Sequence, residues 1–246
     1  MKFRVDTANH LRIITWNCNM AFRKKAEAVL KLKPDILVIP ECEQPDKLLF
    51  PTGIAYPKDV LWIGNNPNKG LGIFSYSHYR FTLLECHNPQ LKTIVPIAVT
   101  GGAMDFTLMA IWANHPQDKG FEYVGQVWKA LHHYQQLLSA NPIILTGDFN
   151  SNSIWDKPKR EGNHSTVVEY LKQRGIYSCY HQHFKQQQGR EAHPTWFLYR
   201  HLDKPYHLDY CFASEHFKLK NAKLGHHTDW CQYSDHVPLI TTFTLV

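Results

Sequence analysis

The sequence predicts an α/β fold, a four-layer αββα sandwich of two mostly antiparallel sheets packed face to face with helices outside. Three observations predict it. A strand–helix–strand unit opens the chain, a closely spaced series of strands without long helices follows, and amphipathic helices then separate further apolar strands.

Taken in order, "LRIITWN" is a buried strand of β-branched residues with an abrupt polar stop at Asn17. "AFRKKAEAVLKL" carries Ala26, Val29 and Leu30 at helical spacing and is closed by Lys33-Pro34. "DILVIPE" is the next strand and stops at Glu41. Strands are then expected around "VLWIGN", "LGIFSY", "FTLLEC", "TIVPIAVT" and "FTLMAIWANH", with spacings that suit antiparallel pairing. Val124, Val127, Trp128, Leu131, Tyr134 and Leu138 make one stripe and predict a helix over 122–138. "IILTGDFN" is a strand, and 166–174 a helix. After an irregular stretch the chain closes with "YHLDYCFAS", "FKLKNAKLG" and "DHVPLITTFTL", the first and last being clear strands. No repeat or linker interrupts this pattern, so one domain over 1–246 is expected.

The composition is that of an ordinary globular protein, with 43% hydrophobic and 20% charged residues. A net charge of +6 favours an anionic partner. The six cysteines (Cys18, Cys42, Cys86, Cys179, Cys211, Cys231) form no CxxC pair and are expected to be reduced and structural. With no signal core at the start and no later run of membrane-spanning length, a cytoplasmic monomer without a membrane partner is expected.

The informative residues stand where apolar strands stop: Asn17, Glu41, His115, Asp148 with Asn150, and Asp209. Asp235 and His236 of "SDHVP" open the final strand. Singly, each has an ordinary explanation, such as a helix cap at Asn17 or an Asx-turn at Asp148. Sheets bring strand ends together, however, so these residues are expected to share one rim. Glu41, Asp148, Asp209 and Asp235 offer hard oxygen ligands suited to Mg²⁺ or Mn²⁺, while His115 and His236 can move protons near neutral pH. The His pairs in "LHHY" and "GHHT" lack further ligands at zinc spacing, and there is no P-loop, GxGxxG or nucleophile elbow.

In their order "TWN", "PE", "NHP", "GDFN", "HLDY" and "SDH", these motifs resemble the endonuclease/exonuclease/phosphatase superfamily of deoxyribonucleases, exonuclease III-type and apurinic-site endonucleases, deadenylases, tyrosyl-DNA phosphodiesterases, inositol-polyphosphate 5-phosphatases and neutral sphingomyelinases. The resemblance runs from about residue 12 to the last strand and implies the same four-layer sandwich. It also implies roles. Glu41 is the main Mg²⁺ ligand, with Asn17 near the metal and phosphate and Asp235 helping to hold the metal. Asp148 positions or deprotonates the attacking water, and Asn150 contacts the phosphate. His236 is the essential histidine, oriented by Asp209. His115, where exonuclease III-type enzymes carry a tyrosine in a Y-x-P-N context, implies the branch in which a histidine contacts the phosphate or leaving group.

Substrate contacts are expected from Trp196, Lys69 of "NKGLG" and Asn152, the last open between turn former and contact. Basic loops ("DKPKRE", "KLKNAK") and the aromatics Trp155, Trp196 and Phe197 favour nucleic acid. A phosphomonoesterase or lipid-headgroup phosphodiesterase is the alternative enzyme. A nucleic-acid-binding protein that does not cut is the alternative of another class.

Overall fold

The computed structural model describes residues 10–114, 122–140 and 142–245. The chain opens with β1 (His10–Thr15), a 3-10 turn (Phe22–Lys24), α1 (Ala26–Leu30) and β2 (Ile36–Cys42). Strands β3 (Asp59–Asn66), β4 (Lys69–Ser75), β5 (Arg80–Leu83), β6 (Ile94–Thr100) and β7 (Phe106–Trp112) follow. Helices α2 (Val124–His133) and α3 (Leu137–Ala140) lead into β8 (Ile143–Asp148). Then come α4 (His164–Lys172), β9 (Ile176–Ser178), α5 (Cys179–Phe184), β10 (Trp196–Phe197), β11 (Pro205–Tyr206) and β12 (Asp209–Ser214). The last elements are β13 (Lys218–Leu224), α6 (His227–Trp230) and β14 (Leu239–Thr244).

Two six-stranded sheets form, in the orders β13-β14-β1-β2-β4-β3 and β5-β6-β7-β8-β12-β9, with β10-β11 as a separate ribbon. Pairing is antiparallel except for β1 with β2 and β7 with β8. This is the predicted sandwich. The central strands are apolar on both faces because both faces are covered. Ile13, Val38, Ile73, Leu108 and Ile144 fill the space between the sheets. Their neighbours along the strands, Ile14, Leu37 and Ile39, pack outward on Phe22 and Val29 beside α1. On the other sheet Ile143 and Leu145 pack outward on Val127, Leu131, Val167 and Leu171 of α2 and α4. Each side chain of this size buried in full contributes about 1.5–3 kcal/mol, so the alternation holds the layers in register.

Three predicted elements are corrected. The helix expected over 21–32 is a 3-10 turn and a five-residue α1. Its start is diverted because Asn19, Met20 and Ala21 are left-handed. The buried Glu43 carboxylate then takes the backbone N–H groups of Phe22 (2.6 Å) and Arg23 (3.2 Å). The helix expected over 122–138 ends at His133 and resumes as α3, with Tyr134 between them accepting a hydrogen bond from Asn88 N on its hydroxyl (3.0 Å). The strand expected from Tyr206 onward is split, since Tyr206 pairs with Trp196 in the ribbon and the sheet strand starts at Asp209. The six cysteines are free, five of them buried.

Gly147 lets β8 deliver its last residue beside β7. Its φ is +146°, and a Cβ there would lie 1.8 Å from the Ile111 carbonyl oxygen. Gly147→Ala therefore must push two paired strands apart, and a loss of about 3 kcal/mol or more is expected in urea unfolding. A loss under about 0.5 kcal/mol would show that the strand end tolerates displacement.

Candidate active site

The parallel step from β1 to β2 continues past the strands: Trp16 N donates to Val38 O (3.1 Å) and Cys18 N to Pro40 O (3.2 Å). This brings Asn17 and Glu41 to the same end of the first sheet. Glu41 sits where the β2–β4 register shifts, at φ +63°, a conformation that redirects its side chain out of the strand alternation. In the second sheet Asp148 lies opposite both Trp112 of β7 and Asp209 of β12. The two sheets present these ends to each other, and the site forms between them.

His236 links the sheets. It precedes β14 of the first sheet, yet its Nδ1 is 2.8 Å from Oδ2 of Asp209 in the second. Its carbonyl accepts from Trp16 Nε1 (2.9 Å), and its N–H donates to Ser234 Oγ (3.1 Å). With Nδ1 committed to Asp209, Nε2 is aimed toward Asp148, 3.9 Å from Oδ2, a separation too long for a hydrogen bond. Asp148 is held from three sides. Oδ2 accepts from Asn17 Nδ2 (3.0 Å) and Asn150 Nδ2 (3.3 Å), and Oδ1 accepts from Asn150 N (2.8 Å). Asn150 is left-handed, φ +47°, and its amide also donates to Ala113 O (2.8 Å). Asn17 further donates to Glu41 Oε1 (3.3 Å).

Charge and burial set the protonation. Burial lifts Asp148 to about 7, helped by the nearby Asp209 charge and opposed by His236. Burial alone would discharge His236, but the Asp209 carboxylate, with Asp148 and Asp235 behind it, raises it to about 10. Asp209 is fully buried, and among the described residues its Oδ1 has no hydrogen-bond partner. Ligand atoms of Asp148, Asp209 and His236 lie within 4.8 Å of one another, close enough to hold a metal ion. Glu41, by contrast, keeps an accessible carboxylate at the rim, where Oε2 is 3.1 Å from Lys69 Nζ.

The other sequence candidates stand as follows. Asp235 is half-buried and accepts from Asn19 Nδ2 (3.0 Å) and Trp196 Nε1 (2.9 Å). Trp196 thereby lies against the site, 6.2 Å from the His236 ring. Lys69 lies 5.5 Å from the centroid of Trp112. Asn152 is outside the group: it is buried, with Nδ2 donating to Glu191 Oε2, His207 O and Tyr210 Oη and Oδ1 accepting from Ile154 N. Those are the bonds of a loop former. His115 lies outside the described residues. The supporting residues Trp16, Asn19, Ser234 and Thr195 escaped the sequence reading. Thr195 Oγ1 receives the N–H groups of Leu208 and Asp209. Only Asn19 and Ser234 carried a signal, being polar residues beside "TWN" and "DH".

The profile of the Endonuclease/Exonuclease/phosphatase family matches residues 14–236. No curated protein sequence matches the chain. Among solved structures, similarity is found to the 3′-5′ exonuclease NExo from Neisseria meningitidis (TM-score 0.68, 22% identity, covering 95% of this chain and 100% of that one). It is also found to an AP endonuclease from Archaeoglobus fulgidus (TM-score 0.68, 19% identity, 95% and 99%) and to D. rerio TDP2 complexed with a single-strand DNA product (TM-score 0.66, 18% identity, 96% and 99%). At these identities the likeness is one of fold.

The His236 shift is directly measurable. Its folded value of about 10 exceeds the ordinary 6.5, so the stabilisation from its charged form is complete below 6.5 and is lost as pH rises through 10. NMR titration should find His236 still protonated at about pH 8. Asp209→Asn should bring its titration down, and the variant's melting temperature should fall less steeply than wild type's over the same alkaline range. A wild-type His236 that titrates near 6.5 would remove the ion pair.

Proposed function

This chain belongs to the endonuclease/exonuclease/phosphatase family, and on that premise we propose that it hydrolyses phosphodiester bonds of nucleic acid with a divalent cation, Mg²⁺ or Mn²⁺. The observation that carries the reading is the meeting of Asn17, Asp148, Asn150, Asp209 and His236, drawn from two sheets, beside an accessible Glu41.

The donor set fits the cation. Glu41, Asn17 and Asp235 are oxygen ligands, and Glu41 already holds one cationic group, the Lys69 ammonium, which supports a cation site at this carboxylate. When bound, the ion supplies Lewis-acid stabilisation of charge on the phosphate oxygens. The protein's own groups do the rest. Asp148, lifted to about 7, is matched to take a proton from the attacking water near neutral pH, and the two asparagine amides fix its oxygens for that task. His236, kept cationic by Asp209, offers a charged Nε2–H where phosphate charge develops. His115 is assigned, as in the sequence reading, to the phosphate or leaving oxygen.

Nucleic acid is favoured as substrate by the net charge of +6 and by a row of rings leading out of the site. Trp196 neighbours Tyr206 at 5.6 Å, and Tyr206 neighbours the exposed Trp155 at 5.0 Å. Such rings can receive unpaired bases.

The test is a panel of supercoiled plasmid, end-labelled single strand, abasic duplex, RNA and inositol phosphates, with Mg²⁺ and with excess EDTA. Cleavage of a nucleic acid that stops with EDTA is expected, and Glu41→Gln should weaken Mg²⁺ affinity and turnover together. Full hydrolysis in EDTA, or activity confined to inositol phosphates, would overturn the proposal. In the same assay His236→Ala should lose about 10²–10⁴-fold in turnover. Near-normal turnover in that variant would withdraw its assignment.

A further inference from the structure

Beside the site, on the Glu41 side, lies a cavity of about 340 Å³ that the proposed chemistry does not use. Among the described residues three segments enclose it: the β3–β4 hairpin, the turn from His87 to Thr93, and the end of β7 at Trp112 with Asn114 just beyond it. Its charge is one-sided. Among the described residues Lys69 and Lys92 line it, no carboxylate does, and amides, Thr93 and a histidine supply the remaining polar side chains. Its size is at the low end for small-ligand sites, enough for one nucleotide unit and not for a duplex.

Two details mark a built site. Lys92 adopts φ +51°, ψ −107°, a conformation a lysine rarely takes, and its N–H is tied to Pro89 O (3.1 Å) in a turn capped by Asn88. Strain of this kind is retained where the surroundings enforce it, and it clusters at ligand sites. His87 also lines the cavity, and among the described residues its enclosed Nε2 has no hydrogen-bond partner. The cavity is continuous with the site through Lys69, whose ammonium stands 3.1 Å from Glu41 Oε2 and 5.5 Å from the Trp112 ring centroid. Trp112 in turn is paired in register with Asp148.

We propose that this cavity is a nucleotide subsite, holding the phosphate-bearing nucleotide next to the scissile diester, with its phosphate on Lys92 and Lys69 and its sugar or base against Trp112. This rests on the phosphodiesterase reading above and narrows it: the substrate strand must present one unpaired nucleotide on the Glu41 side of the cut.

Lys92→Gly tests it, because glycine suits the positive φ and removes the ammonium with its aliphatic stem while leaving the turn. The substrates are a short single-stranded oligonucleotide and bis(4-nitrophenyl) phosphate, which has no flanking phosphate. Loss of one charge-assisted contact should lower kcat/KM about tenfold more for the oligonucleotide than for the small diester, mainly through KM, and Lys92→Arg should restore it. Equal losses on both substrates, or an unchanged oligonucleotide KM, would overturn the subsite. The affinity of a fluorescein-labelled oligonucleotide in EDTA separates this proposal from the one it rests on. Should wild type cleave neither substrate, the hydrolase reading falls. The subsite then survives only if Lys92→Gly binds the oligonucleotide about tenfold more weakly.

Discussion

The 2.8 Å contact between His236 and Asp209 is where the two sheets become one machine. Each partner is buried, and neither charge would be tolerated there alone. Together they fix an imidazole by one nitrogen, and the Trp16–His236 and Ser234–His236 bonds fix its backbone. The Asn17–Asp148 bond crosses between the sheets in the same way. The site therefore inherits the rigidity of the sandwich core, and its donors and acceptors need little rearrangement when charge moves, the condition under which electrostatic stabilisation works best.

That arrangement demands unusual backbone at the strand ends. Glu41 and Asn150 are both left-handed, and Asn19, Met20 and Ala21 form a left-handed run beside them. Lys25 secures the run by donating to Cys18 O (2.6 Å) and Asn19 O (3.1 Å), and Glu43 secures the turn that follows. A strand that simply ended in a turn would need none of this. Strain at these positions is the cost of turning side chains out of the pleat alternation and into a shared cleft.

The fold was legible because buried strands write themselves twice, in β-branched runs and in their polar stops. "LRIITWN" and "DILVIPE" marked both a strand and the residue it presents, and the structure brings Asn17 and Glu41 within hydrogen-bond reach. Helices were less legible. "AFRKKAEAVLKL" has helical periodicity, but nothing local reveals that Glu43, some twenty residues away, claims the N–H groups at its start. Asn152 stayed open between turn former and substrate contact for a related reason: in sequence it extends the row of Asp148 and Asn150, whereas in space its partners Glu191, His207 and Tyr210 come from distant segments. Trp112 and Lys92 gave no chemical signal at all, since a tryptophan ending a strand and a lysine in a loop are the commonest of observations. Only the cavity they share distinguishes them.

The chain order of the site carries a consequence for synthesis. Its residues run from Asn17 to His236, and β14, which follows His236, lies between β1 and β13 in the first sheet. Without that strand β1 would keep only β2 as a sheet neighbour. A chain cut short before His236 would hold most of the fold's length and would lack the imidazole that joins Asp209 to the first sheet.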